Sequence, residues 1–130
     1  MTLEQNPKVV TLKNIQEHTK ETYKEQHELS QLMLSLAGET GEALNIAKKI
    51  RRAEHDLNFV KANGMNVSDL KKRLGLELID VIYYCAETAN QLDLNLDFLW
   101  SIKVDINAVK YGRKKVIDPL TQDYMELETD

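Results

Sequence analysis

From Leu29 to Ile50 the residues Leu29, Leu32, Met33, Leu36, Ala43, Ala47 and Ile50 recur at three- and four-residue steps. That spacing places them on one stripe of an α-helix, predicted over about 27–53. The pattern returns downstream. Leu70, Leu74, Leu78, Val81, Ile82 and Cys85 mark the apolar side of a helix from about 69 to 91. Leu99, Ile102, Ile106 and Val109 do the same over about 96–111. Weaker marks at Val10, Ile15 and Tyr23 predict a first helix over about 10–24, and a short helix fits about 56–62. Gly64 and Gly112 stand where helix C-terminal glycines are expected. Ser68 is a predicted N-cap, as is either Asp93 or Asn95. Pro7 discourages helix before it, and Asp118-Pro119 marks a turn in the tail.

Only five glycines and two prolines punctuate 130 residues, too few breakers for a many-turned β fold. The expectation is an all-α bundle of four to five helices in a single domain spanning 1–130, with its core at about 15–114. Segments 1–8 and 115–130 flank that core. Helices this apolar in so short a chain leave a stripe for a second copy, so a homo-oligomer is expected, a dimer at least. The net charge of −4 advertises no nucleic-acid partner. No apolar run approaches the ~20 residues needed to cross a bilayer, so no membrane association is expected. The N-terminus lacks a basic end followed by an apolar core, so no signal peptide is expected and a cytoplasmic location follows as the default. The lone Cys85 excludes an intramolecular disulfide and reads as a buried structural thiol.

Against this apolar background stand two acidic pairs. Residues 38–42 read Gly-Glu-Thr-Gly-Glu, in the middle of the predicted second helix. A glycine inside a helix costs about 1 kcal/mol relative to alanine, and a carboxylate on a core-facing stripe needs a partner. Glu39 and Glu42 are three apart and share a helix face; so do Glu77 and Asp80. Antiparallel packing of the two helices would converge all four. Such anions repel unless protonated or bridged by cations, and hard oxygen ligands suit Mg²⁺ or Mn²⁺. The missing side chains at Gly38 and Gly41 would let a neighbouring helix, a metal-bound water or a ligand approach the backbone. Redox-active di-iron bundles use Glu-x-x-His pairs, and His18, His27 and His55 lie outside the acidic motifs.

On the last helix Lys103, Asn107 and Lys110 follow i, i+4, i+7 spacing, with Arg113 and Lys114 after Gly112. Either this is a solvated basic face, or it binds polyphosphate beside a metal centre. Lys49 lies seven residues beyond Glu42, on roughly the same face. His27 reads as an exposed residue at a helix start or a contact to a base. Glu87, seven beyond Asp80, reads as solvated or as an outlying member of the site. Tyr83 and Tyr84 read as core or pocket lining, and Trp100 as core or subunit interface.

"LSLAGETGEALNIAKK", then "LGLELIDVIYYCAETANQLDLNL", then "IKVDINAVKYGRK" together resemble the MazG-like all-α nucleoside triphosphate pyrophosphohydrolases over roughly residues 15–114. The resemblance implies that Glu39, Glu42, Glu77 and Asp80 bind Mg²⁺. It implies that Lys103 and Asn107 lie near the phosphates or sugar, and that Lys110 and Tyr111 match a basic-tyrosine pair of the family. It further implies conversion of a (d)NTP to the (d)NMP and pyrophosphate, in a homodimer or homotetramer whose helices often complete each other's sites. With no serine, cysteine or histidine constellation for covalent catalysis, the expected chemistry is direct attack by water. The alternative is a non-catalytic helical bundle that binds nucleotide or protein and uses the acids as a structural metal site.

Overall fold

A computed structural model describes residues 9–22, 27–112, 115–117 and 124–126. Five helices dominate it: α1 (Leu12–Thr22), α2 (Leu29–His55), α3 (Leu57–Asn63), α4 (Val67–Gln91) and α5 (Leu96–Lys110). These bounds lie within three residues of the predicted ones at every end. A short ladder that the sequence did not announce follows, β1 (Lys115–Ile117) paired antiparallel with β2 (Tyr124–Glu126). Tyr23, Arg113, Lys114 and the Asp118-Pro119 turn lie outside the described residues. Within them, no helix is long and apolar enough to cross a membrane.

The centre of the fold is the α2–α4 hairpin, with α3 as its connector. The two long helices run antiparallel, because contacts at rising positions in one fall in the other: Glu54 with Lys71, Glu39 with Glu77, and His27, just ahead of α2, with Glu87. At the closed end, buried Ile46, Ala53 and Leu70 form a core onto which Ile50, Phe59, Val60, Met65, Val67 and Leu74 pack. Local signals build this end. Asp56 caps α3 by accepting from the N–H groups of Asn58 and Phe59. Gly64 ends α3 in the left-handed region at φ 59°, where a missing Cβ removes the strain. The N-cap of α4 is Asn66, not Ser68: the Asn66 carboxamide accepts from the Ser68 N–H at 2.8 Å. Asn95 caps α5 through the Phe98 N–H, which decides between Asn95 and Asp93.

Buried Gln16 ties α1 onto the α4–α5 corner. Its Nε2 donates to Asn90 Oδ1 and to the Leu94 carbonyl at 3.1 and 2.7 Å, while its Oε1 accepts from the Leu96 N–H at 2.9 Å. Asn90 Nδ2 returns a bond to the Gln16 carbonyl. Helix α5 packs against α1 and β1.

The apolar stripes are only partly covered within the protomer. Leu32, Ala43 and Ile46 of α2 are buried, but Leu29 and Met33 are exposed, as is Leu34 at 75%. Leu78, Ile79 and Ile82 of α4 are exposed, and so are Leu99, Ile106 and Val109 of α5. Trp100 is 61% exposed, so it is no part of the protomer core. Cys85 is exposed, which corrects its reading as a buried thiol.

Candidate metal centre and adjoining cavity

Glu39 and Glu42 project from one side of α2, and Glu77 meets them from α4. One carboxylate oxygen from each of the three lies within 4.8 Å of the others. Glu39 and Glu77 are half-buried and Glu42 is exposed. Asp80, one turn beyond Glu77, is exposed and adjoins the trio: its charge acts on both Glu39 and Glu77. Of the four acids expected to converge, three share one small volume and Asp80 stands alongside rather than within the group.

The electrostatics of the trio are unfavourable as it stands. Desolvation first, then the charges of Glu42, Asp80 and Glu77, raise the pKa of Glu39. Desolvation and the neighbouring Glu42 and Asp80 likewise raise that of Glu77. Ionised carboxylates only accept hydrogen bonds, and Oε2 of Glu39 and of Glu77 are buried with no hydrogen-bond partner. A proton or a cation is what the cluster lacks. An all-oxygen set of this charge fits a hard divalent ion such as Mg²⁺.

Gly38 and Gly41 leave the α2 backbone open beside these acids. A Cβ built at either would meet nothing within 4 Å. No neighbouring helix uses the space within the protomer, contrary to one of the purposes expected for the two glycines.

From the acids a cavity of about 420 Å³ runs along the α2–α4 groove. Glu39 and Asp80 line one end, and His27 and Glu87 the other, with Gln31, Leu32, Ser35, Tyr83 and Tyr84 between. His27 Nε2 stands 3.7 Å from Glu87 Oε1. Tyr83 also contacts the His18 ring of α1, with centroids 5.9 Å apart. The groove thus joins Glu87 and His27, for which the sequence left a solvated reading open, to the acidic motifs. Their spacing held the clue: Glu87 follows Asp80 by seven residues, two helical turns on the same face.

The basic residues stand elsewhere. Lys103 and Lys110 are exposed on α5, Asn107 is half-buried, and Tyr111 is the exposed C-cap, its ring 5.4 Å from Lys110 Nζ. Lys49 is half-buried on α2. None of the five lines the acidic cavity. Lys48, Arg51, Arg52 and His55 border a separate depression at the far end of α2, where Arg52 lies over the Phe59 ring.

Compared with family models, with curated proteins and with solved structures, the chain finds no match.

Proposed function

We propose that the protein is a Mg²⁺-dependent nucleoside triphosphate pyrophosphohydrolase of the MazG-like type, converting a (d)NTP to the (d)NMP and pyrophosphate. The observation that carries this reading is the Glu39–Glu42–Glu77 trio with two orphaned buried oxygens, beside a cavity of about 420 Å³ that Glu39 and the adjoining Asp80 line. Glu39, Glu42, Glu77 and Asp80 would hold the ion, with Mn²⁺ as the nearest substitute. When bound, a divalent ion supplies charge neutralisation on the phosphates and a lower pKa for water. Glu42, the exposed member of the trio, takes the proton of the attacking water. The water oxygen bonds to one of the two phosphorus atoms that share the α–β bridging oxygen as that atom's bond to the bridge breaks, which separates the monophosphate from pyrophosphate. The neutral part of the substrate lies along the groove, away from the acids.

Charge on the leaving phosphates calls for cations, and among the described residues no lysine or arginine lines the cavity of the single protomer. Lys103 and Lys110 fill this role from a second copy of the chain, with Asn107 and Tyr111 of the same helix end as hydrogen-bonding groups, in keeping with the uncovered apolar stripes and with the resemblance to oligomeric enzymes.

Pyrophosphate release from a panel of standard and modified NTPs with Mg²⁺ tests the reading. Turnover of at least one is expected, and Glu77→Gln should lower the rate by at least about 100-fold, the scale on which disturbed metal sites lose activity. No turnover of any NTP removes the enzyme, and an undiminished rate in Glu77→Gln removes the metal assignment. The absence of α5 cations from the cavity favours a second reading, a nucleotide-binding bundle with a structural ion. Strong thermal stabilisation by Mg²⁺ without any turnover would select it.

A further inference from the structure

We infer that the end of the cavity remote from the acidic trio is a base-reading subsite, with Glu87 as its specificity-determining residue, and that it selects nucleobases bearing an exocyclic amine over uracil and thymine. The inference rests on the nucleotide reading above and specifies its substrate class.

Glu87 is 14% exposed in its side chain, yet its buried Oε1 has no hydrogen-bond partner. His27 Nε2 stands 3.7 Å from that oxygen, within ion-pair reach but beyond hydrogen-bonding distance. A carboxylate oxygen lining a cavity with open lone pairs requires an N–H or O–H donor from whatever fills that cavity. Its place in the groove suits a base rather than a phosphate. Glu87 lies seven residues from Asp80, which is about 10 Å along a helix and matches the span of a nucleoside. A phosphate there would face a like charge. Tyr83 and Tyr84 line the stretch between, where aromatic surface can take the flat face of a base.

A carboxylate that accepts from an exocyclic amine is an established pairing, as with the cytosine 4-amino group. Uracil and thymine instead present carbonyl oxygens on both sides of their one edge N–H, so a carbonyl meets Glu87 Oε1 with lone pairs opposed. Selection thus comes from an unfavourable contact with the wrong base as well as from a bond to the right one. His27, against the same carboxylate, positions it.

Calorimetric titration with dCMP and dUMP in the presence of Mg²⁺ tests the subsite without requiring turnover. Wild-type protein should bind dCMP at least about tenfold more tightly, the scale of one charge-assisted hydrogen bond gained or lost. In Glu87→Gln the amide can turn its NH₂ toward a carbonyl, so the dCMP-to-dUMP ratio should fall by at least about tenfold. Glu87→Asp keeps the acceptor and should keep the preference for dCMP with weaker binding. A preference for dUMP in the wild type, an unaltered ratio in Glu87→Gln, or no binding of either monophosphate overturns the inference. Absence of pyrophosphate release beside selective dCMP binding would instead overturn the catalytic reading and leave the subsite standing.

Discussion

Glu77 sits where three carboxyl groups compete for one small volume, and the consequence can be read as a pH dependence. The pKa values of Glu39 and Glu77 are raised in the folded chain by desolvation and by neighbouring anions. In the window between the ordinary carboxylate range and the raised values, the native state binds more protons than the unfolded one. Stability of the metal-free protein therefore falls as pH rises through that window, and stays at the lower level above it. Mg²⁺ competes with those protons and binds the native state in preference, so its stabilisation should grow with pH across the same window. Thermal melts from pH 4 to 8, with EDTA and with Mg²⁺, check this; Glu39→Gln should flatten the metal-free slope. A slope of opposite sign would mean the trio is not strained in solution. The meeting of the two acidic motifs was legible in the sequence, because Glu-x-x-Glu and Glu-x-x-Asp spacings fix the faces; their burial was not, since Glu42 and Asp80 are exposed despite the apolar residues around them. The tight three-plus-one grouping was not, since one helical turn separates Glu77 from Asp80 and only the packing distance decides which joins.

Helix existence followed from periodicity, and helix ends from side chains that satisfy free backbone N–H groups. The misassigned cap shows where such reading stops: Ser68 and Asn66 are both good caps, and only the path of the chain leaving Gly64 selects Asn66. A deeper gap was Gln16. Its sequence context is polar, so periodicity places it on a solvated face, yet it is buried and meets the α4–α5 corner through three of its own side-chain bonds. Contacts some eighty residues apart leave no local trace. Gln16→Ala should leave the Leu96 N–H without its acceptor and Asn90 without its donor, at a cost of about 1–3 kcal/mol. The expected drop in Tm is roughly 3–10 °C, and it should be the same with and without Mg²⁺, because the corner lies apart from the acidic trio. A metal-dependent loss would instead place Gln16 in the site. The short β1–β2 ladder was equally invisible, since three-residue strands are too short to register a period of two.

At the scale of the whole molecule, two incomplete features call for the same remedy. Large apolar side chains on α2, α4 and α5 stand uncovered, more than scattered surface hydrophobics require. Among the described residues no lysine or arginine lines the acidic cavity to supply the cations that the proposed triphosphate substrate needs, while Lys103 and Lys110 are exposed on α5. A two-fold dimer would repeat both exchanges symmetrically: apolar stripe against apolar stripe, and the α5 stripe of each copy over the acids of the other. The chain should then elute at two or four times its 15.0 kDa mass in light-scattering chromatography. Mixed variants give a sharper test. Glu77→Gln retains the α5 stripe and Lys103→Ala retains the acids, so each alone should be nearly inactive. After unfolding and refolding together, half of the dimers are mixed. One of the two sites in each mixed dimer pairs intact acids with an intact lysine, so activity should recover to about a quarter of the wild-type value. Site sharing predicts that recovery, whereas a site completed within one chain predicts none. A monomer in solution with full activity would sever the link between the exposed stripes and the chemistry, and would require the cations to come from the protomer's own residues.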